Sequence, residues 1–178
     1  MAFIQLVDDE EFAAADRKAL GYTPNYNRLF ARRPDVYEAW KQLNGAIRRE
    51  MDLRRYEVAT VAAAETLRSS YCALAHGKVL LEKFGVRPGD PLNDEERGVQ
   101  ELARKVADDA VSVTQADVDR LRAFGLSDDE IFDIVLAAAA RSFFSKTLDG
   151  TGLQPDAAYR TLDPDVREAL TVGRPIED

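Results

Sequence analysis

The chain has one cysteine and one histidine in 178 residues. A single cysteine excludes an intramolecular disulfide framework, and one Cys with one His falls short of a four-ligand zinc site. Glycine and proline are modest, at 10 and 7, and 31% of residues are charged. That is an ordinary globular composition, which excludes fibrous and disordered classes. Long apolar runs are missing too: the longest covers residues 134–140, against the roughly 20 residues of a membrane helix. The opening MAFIQLVDDEEF lacks the basic and apolar regions of a secretory leader. With the lone thiol, this points to a soluble, cytoplasmic protein that has no membrane partner. Basic residues are outnumbered 24 to 32, giving a net charge of −8 and a pI near 4.8. An acidic surface repels phosphate backbones, so nucleic acid is not expected as a partner. At this length a single domain over residues 1–178 is expected, large enough to bury a core.

What is present is helical periodicity. An Ala- and charge-rich stretch over residues 8–19 stops at Gly21, and Pro24 and Pro34 stand where prolines open helices. Residues 35–49 place Val36, Ala39, Trp40, Leu43 and Ile47 on one stripe. A helix over 53–67 is interrupted at Ser69 and Ser70, and another runs from Tyr71 to Gly85. Asn93 can cap a helix reaching about Asp108. Thr114 with Asp117, and Ser127 with Glu130, read as capping boxes, the second opening a helix from Asp128 to about Thr147. Asp163-Pro164 opens a short last helix, and residues 173–178 read as a polar tail. Alternating β-branched runs bounded by hairpin turns are absent, so the expected fold is all-α. A weak internal echo lays Glu57-Val-Ala-Thr-Val-Ala-Ala-Ala on Asp133-Ile-Val-Leu-Ala-Ala-Ala-Ala at an offset of 76 residues. It sets segment 53–84 beside a pseudo-repeat over 128–152, in which Ser69 falls on Ser145, Cys72 on Leu148 and His76 on Gly152. Ala-rich core helices align easily, so two unrelated helices explain the echo equally well.

The chemistry-bearing segment is EVATVAAAETLRSSYCALAH, from Glu57 to His76. Cys72 and His76 are four apart and share a helix face. The Ser69-Ser70 break puts Cys72 near the first turn of the new helix, where free N–H groups and the helix dipole favour a thiolate. His76 can take the thiol proton or pair with the thiolate, and Glu57 can orient His76 or accept the proton last. Each residue also has a plainer reading. The cysteine can be an inert small hydrophobe, the histidine can face solvent, and Glu57 can be exposed, with Glu65 competing for its role. Metal binding by Cys72, His76 and Glu57 is short of ligands, so no metal is expected.

The segment resembles the signature of the alkyl hydroperoxidase D-like, or carboxymuconolactone decarboxylase, superfamily: Glu, eleven residues, then Cys-x-x-Cys-x-x-x-His. Glu57, Ser69, Cys72 and His76 fall on those places, with Ser where the first Cys is expected. Flanking text is similar to the peroxidase-related branch: Tyr37-Glu-Ala-Trp-Lys-Gln-Leu-Asn-Gly-Ala-Ile, Leu53-Arg-Arg-Tyr-Glu and Phe132-Asp-Ile-Val-Leu-Ala-Ala-Ala-Ala-Arg. The resemblance implies a fold of helical hairpins and a homo-oligomer (dimer, trimer or hexamer). It also implies peroxidase activity on hydroperoxides through a redox dithiol, with Glu and His as a proton relay and no metal, haem or other cofactor. Cys72 is then the nucleophile, His76 the proton acceptor, Glu57 the relay partner, and Ser69 the occupant of the resolving-cysteine place.

Serine cannot condense with a sulfenic acid to form a disulfide. It can hydrogen-bond the thiolate or cap the helix. This leaves a one-cysteine peroxidase resolved by an external thiol or thiol protein, a drift to another reaction or to binding, or a substitution that traps the reduced site. The resemblance also implies a second enzymatic reading, lactone decarboxylase chemistry on an anionic substrate, for which Arg68, Arg141 or Lys146 could bind a carboxylate. The favoured reading of those three is surface solvation or ion pairing with the excess acids. A third reading is a non-catalytic helical oligomer. The small side chains of 58–64 and 134–140 suit tight helix packing anchored by Phe143 and Phe144. Tyr71 is expected at the substrate pocket, its ring packed and its hydroxyl free to reach a polar group.

Overall fold

A computed structural model describes residues 2–178, which form helices joined by turns and loops, with no strand among them. In chain order these are α1 (Glu10–Leu20), α2 (Asn25–Phe30), α3 (Pro34–Glu50), α4 (Leu53–Thr66), α5 (Ser70–Phe84) and α6 (Asp94–Asp109). A 3₁₀ turn (Ala110–Ser112) leads to α7 (Gln115–Ala123) and α8 (Asp128–Gly150), and a second (Ala157–Thr161) leads to α9 (Pro164–Leu170).

The ends follow the caps written in the sequence. Asp9 accepts from the Phe12 N–H at 2.9 Å, and Gly21 closes α1 in the left-handed region. Asn93 and Glu96 exchange bonds of 2.8 and 3.1 Å at the start of α6, and the Ser127 N–H donates to Glu130 at 2.8 Å at the start of α8. Each such cap stabilises by about 1 kcal/mol. The six-residue α2 starts directly after Pro24, where the sequence places a helix-opening proline, whose ring presets its entry.

Helix α4 is the centre of the molecule and packs on α5, α6 and α8. Its alanines explain how three helices crowd around it: Ala59, Ala62, Ala63 and Ala64 are fully buried, and on α8 Ala137, Ala138 and Ala140 are buried as well. Without long side chains between them, the helix axes approach closely. At the N-terminal end of α4, Arg54 pairs with Glu96 of α6, while Arg55 pairs with Glu95 of α6 at 2.9 Å and Glu130 of α8 at 2.8 Å. Phe144 is core, but Phe143 is 47% exposed, so only one of the two expected anchors is in the interior. Consecutive helical residues lie about 100° apart, and both cannot face the same way. Helix α8 is continuous through Ser145, where the echo would place the break found between α4 and α5.

That break is tight. Arg68 is in the left-handed region with φ +55°, and the Ser69 N–H reaches back to the Ala64 carbonyl at 2.9 Å. The C-terminal segment is not the free polar tail expected of it. The Gly173 N–H donates to Ser70 Oγ at 2.7 Å, and a Cβ at Gly173 would lie 1.9 Å from the Arg68 carbonyl, so only glycine fits the crossing. Further on, Glu177 accepts from Asn25 Nδ2 at 2.7 Å and from the Ala157 N–H at 3.1 Å. These bonds pin the segment because its own backbone and a carboxylate meet partners that no local rule announces.

Helix α9 closes over α5, with Leu170 packed against Gly77. Leu170→Ala should destabilise the fold by about 2–5 kcal/mol through the cavity it leaves, measured by urea unfolding.

Candidate active site

Helix α5 begins at Ser70, so Cys72 stands in its first turn, and His76 follows one turn later. From α4, the buried Glu57 places Oε2 at 2.6 Å from His76 Nδ1. Glu65, the competing carboxylate, lies on the outer side and pairs with Arg104 of α6 at 3.2 Å. With Nδ1 engaged by the carboxylate, the Nδ1–H tautomer leaves Nε2 as an acceptor. Burial pushes the His76 pKa below its usual 6.5, the Arg141 charge pushes it lower, and Glu57 works the other way without prevailing. The ring is neutral near pH 7 and able to take a proton.

Cys72 is 2% exposed. Neither His76 nor Ser69 hydrogen-bonds it; the contact made is from Arg141 of α8, whose Nη1 lies 3.6 Å from Cys72 Sγ. This corrects the surface reading of Arg141, which is 4% exposed, while Arg68 and Lys146 are on the surface as expected. Arg141 also donates through Nη2 to the Tyr56 hydroxyl at 3.4 Å, and that hydroxyl donates to Asn44 Oδ1 at 2.8 Å. Its Nε has no acceptor, and among the described residues no carboxylate lies within ion-pairing distance of it. Burial disfavours the guanidinium charge, and attraction to Cys72 and Tyr56 overcomes this, so Arg141 stays protonated. An uncompensated buried charge costs several kcal/mol, and the groups that face this one are the Cys72 sulfur and the Tyr56 hydroxyl.

Ser69 is buried at the N-cap of α5 but makes no side-chain cap bond, and its Oγ has no partner at hydrogen-bond distance. The carboxyl of Asp149 on α8 stands on its side, with a pKa that burial raises above the usual range. Both roles expected for Ser69 are thus unfilled, because the Arg68 turn directs its side chain toward α8. Tyr71 lines the cavity beside Cys72 with its ring, but its hydroxyl is bonded to the buried Asp156, which also accepts from Tyr22 at 3.2 Å. The polar group that the hydroxyl reaches is thus Asp156, outside the cavity lining, and burial and Asp156 hold the hydroxyl protonated.

A cavity of about 390 Å³ lies over Cys72 and His76, walled by α3, α5 and α8. Its rings are Tyr26, Tyr37, Trp40 and Phe144; Trp40 and Phe144 stack with centroids 4.9 Å apart, and the Arg141 guanidinium lies 5.7 Å from the Trp40 ring. Sequence reasoning named Arg141 only as a possible carboxylate ligand and favoured the surface for it; its contact with the sulfur, Tyr56 and the assembly of this aromatic wall escaped it. One signal pointed to Arg141: it lies on the stripe Ile134, Ala138, Arg141, Ser145, Leu148, all buried. Among the described residues no group of three or more His, Cys, Asp or Glu is arranged to hold a metal ion. None of the described helices is long and apolar enough to cross a membrane.

With a single histidine, the ring titration is readable by NMR. We expect a His76 midpoint below 6.5, rising in Arg141→Met and falling further in Glu57→Gln, where an opposing charge is lost. Stability carries the same sign. Below pH 6.5 the unfolded imidazole binds protons more readily than the folded one, so acidification destabilises until the lowered folded value is passed.

No protein-family model matches the chain, and no curated protein matches it. Solved structures do. An alkylhydroperoxidase AhpD core, an uncharacterized peroxidase-related protein from Ralstonia eutropha JMP134, superposes with a TM-score of 0.79 at 20% identity, covering 89% of this chain and 94% of that one. A peroxidase-related protein from Silicibacter sp. TM1040 gives 0.76 at 19% identity, over 90% and 94%. The debrominase Bmp8 in complex with 2,3,4-tribromopyrrole gives 0.71 at 17% identity, over 85% and 87%, so an enzyme is among the structures of this shape. On this evidence the chain has the all-helical fold of the alkylhydroperoxidase AhpD core.

Proposed function

We propose that this protein reduces hydroperoxides through Cys72, with an external thiol as reductant. The observation that carries the reading is the Arg141 guanidinium against the Cys72 sulfur, buried, without a carboxylate, and beside the Glu57–His76 pair. A cation fixed next to the sulfur stabilises the thiolate and the negative charge that spreads over sulfur and oxygens as the peroxide bond breaks. His76 takes the thiol proton at Nε2, through a water where no direct bond exists, and Glu57 steadies the resulting imidazolium.

The thiolate attacks the outer peroxide oxygen. An S–O bond forms, the O–O bond breaks, sulfur is oxidised to sulfenic acid, and the leaving alkoxide receives the proton from His76 to become an alcohol. With Ser69 in place of a resolving cysteine, a first external thiol condenses with the sulfenic acid, releasing water and leaving a mixed disulfide. A second external thiol attacks that disulfide and restores Cys72. The sum is ROOH + 2 R′SH → ROH + R′SSR′ + H₂O.

The test is thiol-dependent peroxide consumption. Cys72→Ala should abolish it, and His76→Gln should lower kcat/KM by about 10²–10⁴. Ser69→Cys should reduce the dependence on external thiol concentration in the resolving step. Turnover that survives Cys72→Ala overturns the proposal, as does a parent protein that consumes no peroxide with thiol present.

A further inference from the structure

Among the described residues, Arg141 is a buried cation that no carboxylate neutralises. Two of its nitrogens reach Cys72 and Tyr56, and its third, Nε, has no acceptor. A guanidinium carries five donors in a planar fork suited to a carboxylate. Tyr56 links it to a second cation: its hydroxyl meets Arg141, and Arg48 stands over its ring at 5.9 Å, making no ion pair. Lys41 also lines the cavity, paired at its exposed end with Glu38 at 2.8 Å. The one acid in the lining, Asp16, already accepts from Asn27 at 2.7 Å and from the Tyr37 hydroxyl at 2.8 Å. In a chain of net charge −8 this cavity is a local cationic site. Its apolar wall is aromatic: Trp40 and Phe144 stack at 4.9 Å, Phe30 backs Phe144 at 5.5 Å from outside the lining, and Tyr26 and Phe144 meet edge-to-face at 5.8 Å.

From this we infer that the cavity over Cys72 binds a planar aromatic carboxylate, its charge held by Arg141 and its ring against Trp40 and Phe144. The inference rests on the reading above and deepens it, naming the organic part of the substrate as an aryl acid. Burial in an aromatic slot favours a flat ring over a flexible chain, because less conformational entropy is lost on binding. A site that presents unpaired donors discriminates strongly against an analogue lacking the acceptor.

Trp40 is the single tryptophan of the chain and lines the cavity, so its fluorescence reports occupancy. Benzoate should quench it saturably, with a Kd at least about tenfold lower than that of neutral benzamide. That preference should vanish in Arg141→Met and persist in Arg141→Lys, with circular dichroism confirming the helical fold. Benzoate, and not benzamide, should also slow alkylation of Cys72 by iodoacetamide. Equal affinities, no saturable binding in the parent, or a benzoate preference surviving in folded Arg141→Met would each overturn the inference. If Arg141→Met does not fold, selective protection of Cys72 by benzoate in the parent supports it, and equal or absent protection overturns it. Peroxide turnover without benzoate affinity sinks this inference alone; benzoate affinity without turnover sinks the proposed reaction alone.

Discussion

A guanidinium buried among apolar and aromatic side chains is unstable unless something answers its charge, and in this fold that answer is assembled from three helices. Helix α8 supplies Arg141, α5 supplies the Cys72 sulfur at 3.6 Å, and α4 supplies the Tyr56 hydroxyl at 3.4 Å. Trp40 and Phe144 offer ring faces at 5.7 and 5.6 Å, which contribute further to a cation shielded from water. The site follows from this constraint. It sets a cation beside the sulfur, it lowers the proton affinity of His76, and it places a guanidinium in the cavity wall.

The same three helices are held in register by small residues. The alanines of α4 and α8 let the backbones approach, so that the side chain immediately after the apolar run of α8 meets the first turn of α5. Bulk at Ala62 or Ala138 would separate the helices and the charged groups with them. The left-handed Arg68 and the glycine crossing at 173 hold the start of α5 in place. The chain end therefore supports the site helix from outside, without lining the cavity.

Glu57 and His76 illustrate how burial changes the meaning of a residue. On the surface, a carboxylate and an imidazole 2.6 Å apart would be a weak, screened pair. Here Glu57 is buried on α4, the ring is partly buried, and the Arg141 charge acts on it against Glu57. The result is a neutral base held in one orientation.

Much of this was legible in the sequence. The helix starts are written as Asn93 and Ser127, and the stops as Gly21 and Gly85, because capping is local chemistry. The four-residue spacing of Cys72 and His76 on one helix is likewise a local property, as is the break before them. The partner of the sulfur was not legible, because Arg141 is 69 residues away in the chain and a lone arginine reads as surface. Nor were the bonding of the Tyr71 hydroxyl to Asp156, 85 residues distant, and the pinning of residues 173–178. Sequence alone determined which segments are helices and which residues share a face, since both depend on neighbours within a turn. Tertiary structure decided which charges are buried and what they touch, since desolvation and ion pairing depend on groups that only packing brings together.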